Sequence, residues 1–120
     1  MPLPEDIEIL EPWRVIEASR AGKLADELKA EISPTHVLYG AAVRAFAVRV
    51  DRDDVLFEIE NARMPLAVVH LTWRKETEPA WPHTEFYETW EQWMRDEMLP
   101  SHEEYISQQQ PARAPSRAKN

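Results

Sequence analysis

The alternation of apolar residues between positions 43 and 73 most strongly limits how this chain folds. Apolar side chains occupy every second position along three segments, Val43–Val50, Val55–Glu60 and Leu66–Trp73. A two-residue period is typical of strands that bury one face. An aspartate-rich turn at 51–54 separates the first two segments, and a proline-containing turn separates the second and third. The pattern predicts an antiparallel three-stranded meander.

The turns also predict how these strands pair. The aspartate-rich turn pairs Val50 with Val55, so that Val48 lies opposite Phe57. The same alternation continues into the third strand. Its residues Ala67, Val69 and Leu71 therefore fall on the same face as the apolar residues of the first two strands. The residues predicted to share one buried face are Phe46, Val48, Val50, Val55, Phe57, Ile59, Ala67, Val69 and Leu71.

Two segments with a helical period are expected to cover that face. Apolar residues recur at three- and four-residue steps within 20–32, and Pro34 ends this helix. A second helix over 89–99 begins with a capping box from Thr89 to Gln92 and stops before Pro100. The predicted fold is therefore α+β, an antiparallel three- to four-stranded meander sheet packed by two main helices.

Length and charge limit the domain organisation and the partners. Residues 1–107 are predicted to form one α+β domain that begins with an irregular arm at 1–11, and residues 108–120 a disordered basic tail. The net charge is −8 for the whole chain and −11 for residues 1–107, which hold 22 acidic and 11 basic residues. Because an acidic surface repels phosphate, no nucleic acid ligand is expected, and a basic protein partner is favoured.

The sequence also predicts the compartment. It contains no cysteine, which fits a reducing cytoplasm. The first ten residues lack a basic stretch followed by an apolar run, and no apolar run is long enough for a membrane span. We expect a cytoplasmic protein without membrane contact.

Few residues are candidates for metal binding or catalysis. His83 and Glu85 lie on one side of an extended segment, and His70 and His102 are the other candidate ligands. Nothing in the sequence brings these residues together, and zinc sites usually need three or four ligands, so structural histidines are favoured. With only two glycines there is no phosphate-binding loop, and no serine lies in a nucleophile elbow. We expect no metal, cofactor or catalytic residue.

The loop at 74–88 contains the candidate interaction residues. Trp81, between Pro79 and Pro82, is either a recognition residue or an anchor that holds the loop on the sheet. Acidic neighbours favour at least partial exposure, because the ring then meets a partner's arginine through its π face. Trp73, by contrast, is expected at the edge of the core. The candidate interaction residues are Trp81, His83, Glu85, Glu76 and Glu78.

Three motifs carry a resemblance to other proteins. LAVVHLTW (66–73), WPHTEFYETWEQWM (81–94) and LPSHEEY (99–105) resemble a group of small stand-alone bacterial α+β proteins. The resemblance covers most of the domain and implies a common fold. It implies no activity, cofactor or catalytic residue, because none is known for the group.

Taken from the residues, the favoured function is a small acidic intracellular protein-binding domain without catalytic activity. An antidote or immunity-type protein, or a regulatory partner, is a concrete subclass that fits its size and acidity. The alternative is a small-molecule or metal-ion binding module in which Trp81 covers a pocket that contains His83. An enzyme of unknown class is third, and would need a deep pocket with a buried histidine or carboxylate.

Overall fold

The computed structural model describes residues 8–109. Residues 1–7 and 110–120, which hold most of the predicted arm and of the predicted tail, lie outside the described residues. The strands are β1 (Trp13–Val15), β2 (Val43–Arg49), β3 (Asp54–Ile59), β4 (Leu66–His70) and β5 (Thr84–Tyr87). The helices are α1 (Ala18–Glu31), α2 (Trp90–Trp93) and α3 (Leu99–Gln108), with a π-helical segment, Met94–Met98, between the last two.

The five strands form one sheet in which each strand lies beside the next in the chain, and every pair is antiparallel. The predicted α+β class and antiparallel sheet are confirmed. The predicted number of three to four strands is wrong, because β1 and β5 form the two edges of a five-stranded sheet. Edge strands of three and four residues show too few alternations to be read with certainty from sequence.

The strand faces are as predicted, although the pairing differs by two residues. Phe57 pairs with Ala67, and Val48 pairs with Val55. A shift of two residues leaves every side chain on its original face. Val48, Phe57, Val69 and Leu71 therefore lie in one buried cluster, as the sequence predicts. We call this side of the sheet the first face.

Two residues of the predicted buried face differ, since Val50 is 44% exposed beyond the end of β2 and Phe46 lies on the other side of the sheet. β2 has a register irregularity between Ala45 and Ala47, which leaves Phe46 without a partner on β3. An extra residue of this kind turns the following side chains relative to the preceding ones. Phe46 consequently packs on the opposite side of the sheet, where its ring centroid lies 5.0 Å from that of Trp90. We call this side the second face.

Both faces of the sheet are apolar, and different helices cover them. Leu24 and Leu28 of α1 pack on the first face. Trp90 and Trp93 of α2 belong instead to the cluster on the second face, together with Leu56. The expectation that both helices cover one face is therefore wrong. Its physical cause is that the second face is itself apolar and needs a cover of its own.

The second predicted helix continues past its expected end before Pro100. Thr89 caps it, since its hydroxyl oxygen accepts a hydrogen bond from the Gln92 backbone N–H at 3.0 Å. The helix does not stop before Pro100. Leu99 N–H bonds to the carbonyl of Met94 in the wider π-helical pattern, and Pro100 then falls in the first turn of α3. A proline is tolerated there because no helical partner needs its missing N–H.

The register can be tested at Phe57, which is fully buried on the first face. We expect Phe57→Ala to lower the free energy of unfolding by about 3–5 kcal/mol, because it leaves a cavity in the core. Val50→Ala is the control, since Val50 is 44% exposed beyond the end of β2 and its truncation should cost less than about 0.5 kcal/mol. Equal effects in urea denaturation would contradict the observed register.

Candidate interaction surface

Two exposed tryptophans lie in the connection between β4 and β5. We call this connection, residues 71–83, the tryptophan loop. Trp73 is 54% exposed and Trp81 is 47% exposed. The loop lies at the end of the sheet that also contains the β2–β3 turn, because His70 at the end of β4 pairs with Asp54 at the start of β3.

Trp73 does not lie in the core, so that expectation is wrong. Its backbone φ is +62°, in the left-handed region that few residues other than glycine adopt. Such a conformation costs about 1–3 kcal/mol and persists only where surrounding contacts impose it. The strand therefore ends before Trp73 and its indole turns towards solvent.

A buried carboxylate imposes this conformation. Glu31, at the end of α1, is 1% exposed. One of its oxygens accepts hydrogen bonds from the backbone N–H and hydroxyl of Thr72 at 2.9 and 3.2 Å, and the other accepts the Trp73 N–H at 2.8 Å. The Glu31 carbonyl also accepts the Glu76 N–H at 2.8 Å. These bonds satisfy the buried carboxyl oxygens and fix the first half of the loop.

The second half of the loop is anchored by Pro82 and His36, and not by Trp81. Pro82 is fully buried, and its carbonyl lies 3.0 Å from Nε2 of His36. His36 Nδ1 accepts the Leu38 N–H at 3.0 Å, so Nε2 carries the proton and donates to Pro82. Because neighbouring residues hold the backbone, the Trp81 ring is free to face solvent. The exposure predicted for Trp81 is confirmed.

A polar cleft of about 520 Å³ opens on the second face beside this loop. β4 and β5 form its floor, and α2 and the π-helical segment form one wall. Four carboxylates, two histidines and one arginine line it, and few of its lining residues are apolar. The lining residues are Arg52, Asp54, Val68, His70, His83, Glu85, Phe86, Tyr87, Gln92, Asp96 and Glu97.

Both histidines of the cleft are paired with carboxylates. His70 Nδ1 lies 2.7 Å from Asp54 Oδ1, and His83 Nε2 lies 2.8 Å from Glu85 Oε2. Since an ionised carboxylate only accepts hydrogen bonds, the histidine nitrogen donates in each pair. The first pair links β3 to β4, the second links the end of the tryptophan loop to β5, and both lie along the cleft.

The deeper side of the cleft carries Tyr87 and Glu97. The Tyr87 hydroxyl donates to Glu97 Oε1 at 3.4 Å. Burial, followed by the charge of Glu97, raises the pKa of Tyr87, so its hydroxyl stays protonated at neutral pH. Burial and the nearby charge of Asp54 also raise the pKa of Glu97. The cleft is therefore a place where a positive charge is favoured.

A smaller hollow of about 230 Å³ adjoins the cleft and extends to Trp73. The two cavities share Arg52 and Asp54. Arg49 forms part of the hollow and is 4% exposed at its side chain, with ion pairs to Asp51 at 2.7 Å and to Glu104 at 3.0 Å. Although burial lowers the pKa of Arg49, these hydrogen bonds outweigh it and raise the pKa. Because Leu24, Val48 and Val55 also line it, the hollow opens towards the first face and meets the cleft at the shared residues Arg52 and Asp54.

The candidate residues from the sequence fall into two groups. His83 and Glu85 come together at the cleft. Trp81 is exposed two residues earlier and does not line the cleft. Glu76 pairs with Arg74 at 3.0 Å, which lowers the pKa of Glu76, and neither it nor Glu78 lines the cleft.

Sequence reasoning missed several residues of this surface. Asp54 was assigned to a turn, although the alternation of β3 places it on the same face as its cross-strand neighbour His70. Nothing in the sequence indicated that Glu97 would lie under β5, since that contact depends on how the C-terminal helices cross the second face. His102 does not line the cleft, and its Nδ1 lies 2.7 Å from the Glu11 carbonyl oxygen.

Metal sites, membrane spans and relatives add no further assignment. Within residues 8–109, no three histidine, aspartate or glutamate side chains are arranged to hold a metal ion. In the same range, no helix has both the length and the apolar character needed to cross a bilayer. Comparison with protein-family models, with curated proteins and with solved structures finds no match. Function is therefore argued from the surface itself.

The carboxyl pair behind Trp73 predicts a pH dependence. A hydrogen bond between Glu27 and Glu31, together with burial, raises the pKa of Glu27 from 4.5 to about 7. The folded state then binds the proton more tightly than the unfolded state. This contribution to stability is complete below pH 4.5 and is lost as the pH rises through about 7.

We expect the free energy of unfolding from urea titrations to fall between about pH 5 and about pH 8. The matched control is Glu27→Gln, whose amide keeps a hydrogen-bond donor for Glu31 at every pH and should reduce this fall. Identical pH profiles for the two proteins would contradict a shared proton between Glu27 and Glu31.

Proposed function

We propose that this protein binds a partner protein, without catalysis, through the tryptophan loop and the polar cleft. The observation that carries the proposal is the exposure of Trp73 and Trp81 in one connection beside a cleft lined by four carboxylates. Tryptophan is enriched among the residues that contribute most to protein–protein binding. Half-exposed indoles in one loop are costly to keep in water unless a partner covers them.

The loop is already held in the conformation that displays both rings. Glu31 fixes the backbone at Trp73, and His36 with Pro82 fixes the backbone after Trp81. A partner therefore meets side chains whose backbone needs little further ordering. Preorganisation of this kind strengthens binding because less conformational entropy is lost.

The cleft favours a partner with a basic side chain at the contact. Asp54, Glu85, Asp96 and Glu97 outnumber the single arginine of the lining. A cation placed there lowers the electrostatic energy of the half-buried Glu97, whose pKa is raised by burial and by Asp54. An arginine is favoured over lysine, because its planar guanidinium pairs with a carboxylate through two parallel hydrogen bonds. An antidote that neutralises a basic toxin, or a regulator of a basic protein, fits this chemistry.

A small-molecule or metal-ion module is the second candidate, supported by the size of the cleft and by His83 in its lining. Ligand pockets of this size are usually lined mainly by apolar side chains, whereas this cleft is mainly polar. An enzyme is third. The raised pKa of Tyr87 makes its hydroxyl a poor nucleophile or base at neutral pH.

The test uses a double variant, Trp73→Ala with Trp81→Ala. Affinity capture from the source cells first yields the partner, and its Kd is then measured with the purified proteins. We expect the double variant to lose about 2 kcal/mol or more of binding free energy, roughly thirtyfold in Kd. Its free energy of unfolding should change by less than about 1 kcal/mol, because both rings are exposed.

Tyr39→Ala is the matched control. Tyr39 is 58% exposed, lies between α1 and β2, and lines neither the cleft nor the tryptophan loop. Its truncation should leave Kd unchanged. A double variant that binds the captured partner as tightly as the natural protein would overturn the proposal, as would an equal loss in Tyr39→Ala.

A further inference from the structure

We infer that the partner adds an extended segment along β5, as a sixth strand, and places a basic side chain in the polar cleft. The inference rests on the proposed function and names the way in which the partner is held. β5 is an edge strand, and within residues 8–109 no strand pairs with its outer side. Edge strands offer a row of backbone donors and acceptors that an added strand satisfies.

The hydrogen-bond pattern of β4 and β5 shows which backbone groups face outward. The His70 N–H donates to the His83 carbonyl at 3.0 Å, which marks these two residues as a hydrogen-bonded pair. Such pairs alternate along an antiparallel ladder. The backbone groups of Glu85 and Tyr87 therefore point towards β4, and those of Thr84 and Phe86 point to the free edge.

The cleft reaches this free edge. Phe86 packs its side chain against the first-face core, yet it also lines the cleft on the second face. Its contribution to the cleft therefore comes from the backbone of β5. A strand added at this edge lies directly beside the cleft, and its side chains alternate between the two faces.

These positions define the chemistry of the added segment. A residue directly opposite Glu85 lies on the second face, with its Cβ about 4.5–5.5 Å away, and points over the carboxylates of the cleft. The residue opposite Phe86 lies on the first face beside a half-buried ring. The fitting segment alternates basic and apolar side chains, with arginine or lysine on the cleft side.

A second copy of this chain is a poorer occupant of the edge. Pairing β5 with the β5 of another copy brings two clefts of the same sign side by side. Like charges across neighbouring strands are destabilising. The acidity of the cleft therefore favours a basic segment of a different protein.

The experiment uses a blocked peptide of alternating arginine and valine as the probe. Amide exchange of the isotopically labelled full chain is followed by NMR during titration with this peptide. We expect the Thr84 and Phe86 amides to exchange at least about tenfold more slowly at saturation, because both become hydrogen-bonded. A peptide of alternating glutamate and valine should not bind, since its charges meet the carboxylates of the cleft.

Two changes isolate the backbone contribution. Thr84→Pro removes an outward N–H that β4 does not use, and edge strands tolerate such a proline. Thr84→Val is its control, because it loses the same hydroxyl and keeps the N–H. We expect Thr84→Pro to weaken the Kd of the peptide about fivefold to tenfold relative to Thr84→Val. Methylation of the peptide amides that face β5 should weaken the Kd of the peptide for the natural protein by a similar factor. The test therefore does not depend on whether Thr84→Pro folds.

Strand addition is overturned if the peptide binds while amide exchange at Thr84 and Phe86 is unchanged. It is also overturned if neither Thr84→Pro nor methylation of the peptide weakens the Kd, or if the peptide does not bind at millimolar concentration. It is also overturned if sedimentation shows a dimer held through β5. In each of these cases the loss of partner binding by the tryptophan double variant still decides the proposed function. If the double variant binds the partner as tightly as the natural protein while the β5 amides are protected, the β5 edge is the binding site and the tryptophan loop is not part of it.

Discussion

Both faces of the five-stranded sheet carry apolar side chains, and each must be covered before the sheet is stable in water. α1 covers the first face, around Phe57. The C-terminal helices cover the second face with Trp90 and Trp93, which pack edge-to-face with each other, and Trp93 also packs edge-to-face with Trp13. The helices that cover the two faces also determine which part of the sheet remains exposed to solvent, and the candidate surface lies in that exposed part.

The candidate surface lies where the cover of the second face ends. Val68 is buried, whereas His70, two residues further along β4 on the same face, is exposed and lines the cleft. Glu85 and Tyr87 repeat this change on β5, with the tyrosine buried and the glutamate exposed. The alternation that builds the core therefore also aligns the polar side chains of the cleft on rigid strands. Two exposed tryptophans complete the surface from the adjoining loop.

Features that depend on neighbouring residues could be predicted from the sequence, whereas features that depend on contacts between distant residues could not. The faces of Val48 and Phe57 follow from alternation, which survives a shift of register by two residues. The exposure of Trp81 could be anticipated from its acidic neighbours. The displacement of Phe46 could not, because a single extra residue in β2 leaves no mark in the pattern. Nor could the position of Trp73, which depends on Glu31, more than forty residues earlier.

The central claim is that the tryptophan loop and the polar cleft form a surface for a partner protein. The most direct measurement is an NMR map of the labelled chain before and after addition of the captured partner. The account predicts that shift changes concentrate in the turn 50–53, the tryptophan loop and β5. Changes centred on α1, or on the connection between α1 and β2 around Tyr39, would contradict it.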